Sequence, residues 1–238
     1  MARMRVFAGP NGSGKTTLNE YLRGQFKFGV YLNPDDFYNR ICRDKALDLT
    51  QYGITCKAIP WRQFQESHTL SKELPVRDAQ VHAQRNTLVF SKPPSVYLVS
   101  IVISYVRQLL IDAEKTFSFE TVFSHASKVQ LMKQAADRGY RTYLYFVCTN
   151  SPDINVLRVQ QRTREGGHDV PEEKIRVRYE RSLANLTQAI SIAYRTYLFD
   201  NSGREASLLA DVTPDRRLNL RKHTAPAWFH EHVLPLFS

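Results

Sequence analysis

The hydrophobic pattern opens on Arg5-Val6-Phe7-Ala8, a short apolar run of the kind that makes a buried strand. A Gly-rich stretch follows, and then Thr17-Leu18-Asn19-Glu20-Tyr21-Leu22, which reads as helix. Gly29–Leu32 predicts a second strand. Asn33-Pro34-Asp35-Asp36 predicts a helix start, with a capping side chain, proline at the first helical position and two acids where the helix dipole favours them. From 45 to 92 the periodicity weakens, with one helix expected near Val76–Phe90; Pro93-Pro94 then breaks the chain before a long apolar helix from Ser95 to about Lys115. Phe117–Phe123 predicts a strand, and Ser124 or Ser127 opens a helix that Gly139 stops after Arg138. Tyr140–Cys148 reads as a central strand. Ser151-Pro152-Asp153 starts a helix ending at Gly166-Gly167-His168, and another begins after Val170-Pro171-Glu172-Glu173. Its apolar positions Ile175, Tyr179, Leu183, Leu186 and Ile190 step by four, four, three and four, a single stripe. Arg195–Phe199 predicts the last core strand, and the tail adds a strand-like Ser207–Val212 and an aromatic helix near Trp228.

Strands alternating with helices imply a mostly parallel sheet with right-handed crossovers and helices on both faces. With Gly9-Pro10-Asn11-Gly12-Ser13-Gly14-Lys15-Thr16 between the first strand and helix, the fold expected is an α/β P-loop sandwich with a helical lid: one domain over residues 1–238, with an elaborated middle block at about 45–115 and a C-terminal extension at about 204–238. A chain of 238 residues with 42% hydrophobic and 24% charged residues can bury a full core. The formal charge of +10 favours an anionic partner (nucleotide, nucleotide-sugar or nucleic acid) without choosing among them. Cys42, Cys56 and Cys148 lack C-x-x-C spacing and read as reduced thiols. The run Val96–Ile111 is interrupted by Ser100, Ser104, Arg107 and Gln108 and falls short of the roughly 20 residues a bilayer span needs, so it predicts a buried helix and no membrane association. The chain enters its first strand with no leader before it, which predicts a cytoplasmic protein.

The chemistry centres on Gly9-Pro10-Asn11-Gly12-Ser13-Gly14-Lys15-Thr16, which matches G-x-x-x-x-G-K-[ST] between a strand and a helix, the setting that marks a P-loop. Gly9, Asn11, Gly12, Ser13, Gly14, Lys15, Thr16 and Thr17 are the expected cradle for the phosphates of ATP or GTP. Lys15 neutralises the β- and γ-phosphates, and Thr16 offers its hydroxyl to Mg²⁺. Phosphoryl transfer further needs a carboxylate for the acceptor proton and arginines over the moving group. Asp35 and Glu120 sit at strand ends, where open α/β sheets bind ligands. Asp35 and Asp36 read equally as helix-start electrostatics, and Glu120 as the partner of a nearby lysine. Arg158, Arg162, Arg164, Arg176, Arg178 and Arg181 flank Gly166-Gly167, the makings of a hinged lid. They read equally as a solvated face paired with Glu165, Glu172, Glu173 and Glu180; His168 reads first as a hydrogen-bonded loop histidine.

The set Ala8–Thr17, Leu32-Asn33-Pro34-Asp35-Asp36, Phe119-Glu120-Thr121, Gln161-Arg162, Gly166-Gly167-His168-Asp169-Val170-Pro171, Arg176, Arg178-Tyr179, Ser182-Leu183 and Asp200-Asn201-Ser202 resembles the zeta-toxin-like P-loop kinases, closest to their short, often chromosomal branch. The likeness covers roughly residues 3–40 and 115–203 and leaves out the middle block and tail. It implies a bacterial kinase that passes a γ-phosphate to an acceptor hydroxyl. Better-known members act on the 3′-hydroxyl of the sugar in UDP-N-acetylglucosamine and are held inactive by an antitoxin protein. By position, the resemblance makes Asp35 the general base, Arg162 a lid arginine on the phosphates and Glu120 a ligand of the acceptor sugar. It gathers Asp36, Thr121, His168 and Arg176 around the acceptor. Val122 stands where relatives often carry a second threonine, which removes a hydroxyl contact. Two other readings stay open: a polynucleotide kinase, favoured by the charge but by no nucleic-acid-binding motif, and a non-enzymatic interaction protein that uses the P-loop as a nucleotide switch.

Overall fold

The computed structural model describes residues 1–54, 60–68, 70–71, 81–167, 169–222 and 224–237. Its elements run β1 (Arg3–Ala8), α1 (Lys15–Arg23), β2 (Val30–Leu32), α2 (Pro34–Asp44), β3 (Ala46–Asp48), α3 (Trp61–Ser67), β4 (Val81–Gln84), β5 (Thr87–Phe90), α4 (Val96–Asp112), β6 (Phe117–Thr121), α5 (Ser127–Asp137), β7 (Arg141–Cys148), α6 (Pro152–Arg164), α7 (Glu172–Ile192), β8 (Arg195–Asp200), β9 (Ser207–Val212), β10 (Leu218–Leu220) and α8 (Ala227–His232). They divide into two compact units, Met1–Phe28 with Ser118–Ser238, and Gly29–Phe117.

The first unit is built on a mostly parallel sheet whose strands lie in the order β10-β9-β8-β7-β1-β6. β7 sits at its centre because it is the most continuously apolar strand, with Leu144, Phe146 and Val147 fully buried. It pairs in parallel with β1 (Val6 opposite Leu144) and with β8 (Phe146 opposite Leu198). Parallel pairing needs crossover helices, and their ends are written locally. Ser151 Oγ accepts the Asp153 N–H at 3.1 Å to open α6. Gly139 takes φ 81° just past α5. The predicted stripe on α7 is the buried one, Ile175 through Ile190.

The tail completes this unit. β9 and β10 continue the sheet in antiparallel sense, and Trp228 of α8 packs on Phe146 with ring centroids 6.1 Å apart. Arg216 donates to the carbonyls of Ile190 and Ser191, each at 2.6 Å, and so satisfies the C-terminal end of α7. Asp211 is 1% exposed and accepts from Arg195 Nη2 and Arg221 Nη2, each at 2.7 Å. Burial pushes its carboxyl up, but the bonds from Arg195, Arg221 and Asn219 outweigh that and hold it below the usual range. A depressed native pKa stabilises above the unfolded value and is lost as pH falls through the native one. Asp211→Asn is therefore expected to cost about 3 kcal/mol at pH 7, with the deficit vanishing well below pH 4, as measured by urea denaturation.

In the second unit α2 begins as the sequence predicts, with Asn33 Oδ1 accepting the Asp35 N–H at 2.9 Å. The helix expected near Val76–Phe90 is replaced, over its described part, by a hairpin. β4 and β5 pair antiparallel around Arg85-Asn86, with Arg85 at φ 53°, and β3 adds to the other side of β5. On β5 Leu88 and Phe90 are buried and Thr87 and Val89 half-buried, an alternation of period two, while Val81 is the buried residue of β4; residues 76–80 lie outside the described ones. α4 is buried along most of its length, as expected, and Trp61 and Phe64 of α3 pack on its Tyr105 at 5.3 and 5.1 Å. Among the described residues no helix is long and apolar enough to cross a membrane. The second unit starts before β2, so it takes in α2 with Asp35 and Asp36 as well as the block expected at 45–115. Cys42 and Cys148 are free thiols; Cys56 lies outside the described residues.

Candidate phosphate-binding site

The loop after β1 turns back on itself through positive φ angles at Gly9 (146°), Gly12 (73°) and Gly14 (90°). None of the three admits a Cβ without a clash, Gly12 because one would stand 2.6 Å from the Asn155 carbonyl oxygen. A Cβ on Gly9 would collide with the Val147 carbonyl of β7, and one on Gly14 would overlap the Asn201 carboxamide. α1 starts at Lys15 with no side-chain cap, so its first-turn amides stay open at the positive end of the helix dipole. The structure gathers three polar side chains there. Lys15 Nζ donates to the Pro10 carbonyl at 2.7 Å, Thr16 Oγ1 donates to Glu120 Oε2 at 2.9 Å, and Asn19 Nδ2 donates to Glu120 Oε1 at 2.8 Å.

Burial pushes the Lys15 ammonium down to about 8, an effect that Glu120 opposes and the Arg162 charge reinforces. Arg162 on the last turn of α6 is thus in electrostatic reach of Lys15. Only the ammonium form attracts phosphate. Affinity for ATP is therefore expected to fall roughly tenfold per pH unit above about pH 8. Binding at pH 8.5 should take up a proton, which calorimetry in buffers of different ionisation enthalpy reads directly. Cys148 lies at the end of β7, and burial raises its thiol to about 12, which leaves it inert as a nucleophile.

A second tier of residues holds the loop from behind. Asn155 at the start of α6, fully buried, donates to the Asn11 carbonyl and accepts from the Thr149 hydroxyl. Asn201, just past β8, donates to the Ser13 carbonyl at 2.8 Å. Arg178 of α7 reaches Asn11 Oδ1 at 3.3 Å, and its neighbour Tyr179 anchors to the Thr149 carbonyl at 2.7 Å. None of Asn19, Asn155 and Asn201 is assigned a site role from sequence, and only the position of Asn201 inside the resembling motifs hints at one. Arg178 is expected among the lid arginines and is found holding Asn11 instead.

Of the residues singled out from sequence, the eight P-loop positions and Glu120 come together, with Arg162 near them. Glu120 is held on Thr16 and Asn19, which puts its carboxylate beside the P-loop hydroxyl. Thr121 accepts the Phe123 N–H at 3.1 Å, so its hydroxyl is engaged in the turn that ends β6. That turn carries Phe123 at φ 64°, pinned by Asn185 on its carbonyl at 2.8 Å and by Ser182 on that of Val122 at 2.6 Å. Arg176 is paired with Asp153 and Glu172, each at 2.7 Å, and ties α7 to α6. Gly166 takes φ 88° as the stop of α6, and Gly167 packs on Arg162 too closely to admit a Cβ. His168 lies outside the described residues. Asp35 and Asp36 are exposed in the first turn of α2, in the second unit. Among the described residues no group of three or more His, Cys, Asp or Glu side chains is placed to hold a metal ion.

No protein-family model matches the chain. A stretch of 63 residues is 33% identical to an uncharacterized protein of Haemophilus influenzae, which is 26% of this chain and 45% of that protein. The match therefore spans less than half the relative's length. Among solved structures, the AvrRxo1-ORF1:AvrRxo1-ORF2 complex with sulphate ions aligns with a TM-score of 0.54 at 15% identity, covering 100% of this chain and 65% of that one. The same pair with ATP gives 0.51 at 13% identity, with 100% and 65% covered. A structure of the PezAT chromosomal toxin–antitoxin system of Streptococcus pneumoniae gives 0.51 at 15% identity, with 88% and 72% covered. At these identities the likeness is one of fold, and it is the α/β fold expected from the sequence.

Proposed function

We propose that this chain is a nucleoside-triphosphate-dependent kinase of the zeta-toxin-like kind, moving the γ-phosphate of ATP or GTP to a hydroxyl of a small acceptor. The observation that carries this reading is the convergence of Lys15, Thr16 and Glu120 at the uncapped start of α1. The shared fold with a toxin–antitoxin system and with an ATP-containing complex supports it. A Mg²⁺ ion suits this corner, because Thr16 Oγ1 and the Glu120 carboxylate are hard oxygen ligands 2.9 Å apart. When bound, it would neutralise charge building on the phosphate oxygens. Lys15 and the loop amides grip the triphosphate, and Arg162 approaches from α6 to cover the moving group. Asp35 takes the acceptor proton.

The acceptor we infer is a UDP-sugar such as UDP-N-acetylglucosamine, and the natural restraint an antitoxin protein. The test is incubation with γ-labelled ATP, Mg²⁺, UDP-N-acetylglucosamine and a panel of cell-extract metabolites, with labelled products identified by mass. Label in a sugar nucleotide supports the full proposal, and label in another metabolite keeps the kinase but moves the acceptor. A single-stranded oligonucleotide with a free 5′-hydroxyl, added as a separate arm, reports the polynucleotide-kinase reading. ATP bound but never consumed leaves the nucleotide-switch reading standing instead.

A further inference from the structure

A P-loop works only if consecutive amides point inward, yet nothing in a Gly-rich string enforces that. In a trans peptide the C=O of one residue and the N–H of the next point in opposite directions. Fixing the Asn11 carbonyl outward therefore aims the Gly12 N–H inward, and fixing the Ser13 carbonyl outward aims the Gly14 N–H inward. The two carbonyls so fixed are the ones that side-chain amides hold here. Asn155 Nδ2 takes the Asn11 carbonyl, and Asn201 Nδ2 takes the Ser13 carbonyl at 2.8 Å. The intervening Ser13 N–H closes on the Pro10 carbonyl at 3.3 Å, so the loop has one hydrogen-bonded turn between two clamped peptides.

Both clamps are themselves braced. Asn155 is fully buried, and its Oδ1 is occupied by the Thr149 hydroxyl, which leaves the amide nitrogen no orientation but toward Asn11. Asn201 follows β8 directly, with its own N–H on the Cys148 carbonyl at 2.8 Å. The glycines match this arrangement. A Cβ on Gly12 would stand 2.6 Å from the Asn155 carbonyl oxygen, and one on Gly14 would overlap Asn201 Nδ2. Gly12 and Gly14 lack side chains where the two clamp residues approach, while Gly9 faces the Val147 carbonyl.

We propose that Asn155 and Asn201 are positioning residues that preset the Gly12 and Gly14 amides for the β- and γ-phosphates of the bound nucleotide. This rests on the nucleotide-binding part of the function proposed above. The structure ties each clamp to a different element, α6 and β8, so the two act independently on one loop. Losing either frees one peptide plane to rotate and turns a donor away from the phosphates, an effect felt in proportion to the number of phosphates bound.

The experiment measures ATP and AMP affinities by calorimetry, together with melting temperatures, for the wild-type chain, Asn201→Ala, Asn155→Ala and Arg216→Ala. Each asparagine variant is expected to lose about tenfold in ATP affinity with AMP affinity nearly unchanged, so the ATP-to-AMP preference falls about tenfold. Arg216→Ala, which removes a cap on α7, should lower the melting temperature and leave that preference intact. An unchanged preference in both asparagine variants overturns the proposal. Should Asn155→Ala fail to fold, Asn201→Ala decides alone, since Asn201 is only half-buried. Failure of the wild-type chain to prefer ATP over AMP would instead defeat the nucleotide reading, a result distinguishable from loss of the clamps.

Discussion

Lys15→Ala is expected to weaken ATP binding by roughly 10²–10⁴-fold, because it deletes two charge-assisted hydrogen bonds to phosphate worth about 1.5–3 kcal/mol each. The fold should not suffer with it. Lys15 is held against its own hydration, as its lowered pKa of about 8 records, and it donates to the Pro10 carbonyl. A melting temperature equal to or above that of the wild-type chain should therefore accompany the collapse in affinity, and calorimetry with a thermal scan reads both. Lys15→Arg should not rescue binding. The planar guanidinium is bulkier than the ammonium and cannot enter the space between Pro10 and Glu120 in the same way. Retention of wild-type ATP affinity in Lys15→Ala would mean that the loop does not bind the triphosphate.

Asp35→Asn is expected to lower the rate of phosphoryl transfer by about 10²–10⁴-fold, the usual contribution of a positioned general base. Nucleotide affinity should stay close to wild type, because the phosphate cradle proposed above does not draw on Asp35. The substitution is mild for the helix. The cap on α2 uses the backbone N–H of residue 35, not its side chain, and loss of one acid from the first turn costs roughly 0.3–1 kcal/mol. Single-turnover transfer of labelled phosphate, with ATP binding measured alongside, separates the two quantities. Transfer at the wild-type rate would remove Asp35 from the reaction and send the search for the base back to Asp36. A parallel loss of ATP binding would point to a structural fault in α2 rather than to chemistry.

Much of the fold was legible because local rules wrote it. The caps at Asn33 and Ser151, the stop at Gly139 and the apolar stripe of α7 each depend on residues within a turn or two, and all appear where the pattern put them. The hairpin at 81–90 was misread because short strands of mixed polarity can pass for a helical period. β10 and α3 are three and seven residues long, too short to carry a period at all. The site residues divide along the same line. The Gly-rich string announced the phosphate cradle, since its chemistry lies in contiguous backbone. Glu120 could be ranked as a strand-end acid, but its attachment to Thr16 spans 104 positions and follows from β6 lying beside β1 in the sheet. Along the chain Arg176 could not be told from the other lid arginines, and only the packing of α7 on α6 paired it with Asp153.

By itself, then, the sequence determined the strand–loop–helix on which the proposed phosphate site rests and the alternation that yields a mostly parallel sheet. Both are encoded in spacing over a few residues, where backbone geometry leaves little choice. The tertiary structure alone decided what stands behind the loop. Asn201 meets Ser13 across 188 positions and Asn155 meets Asn11 across 144, contacts set by strand order. Strand order is a property of the whole sheet: parallel neighbours are joined by crossovers of a dozen residues or many more, so separation along the chain does not tell who will touch.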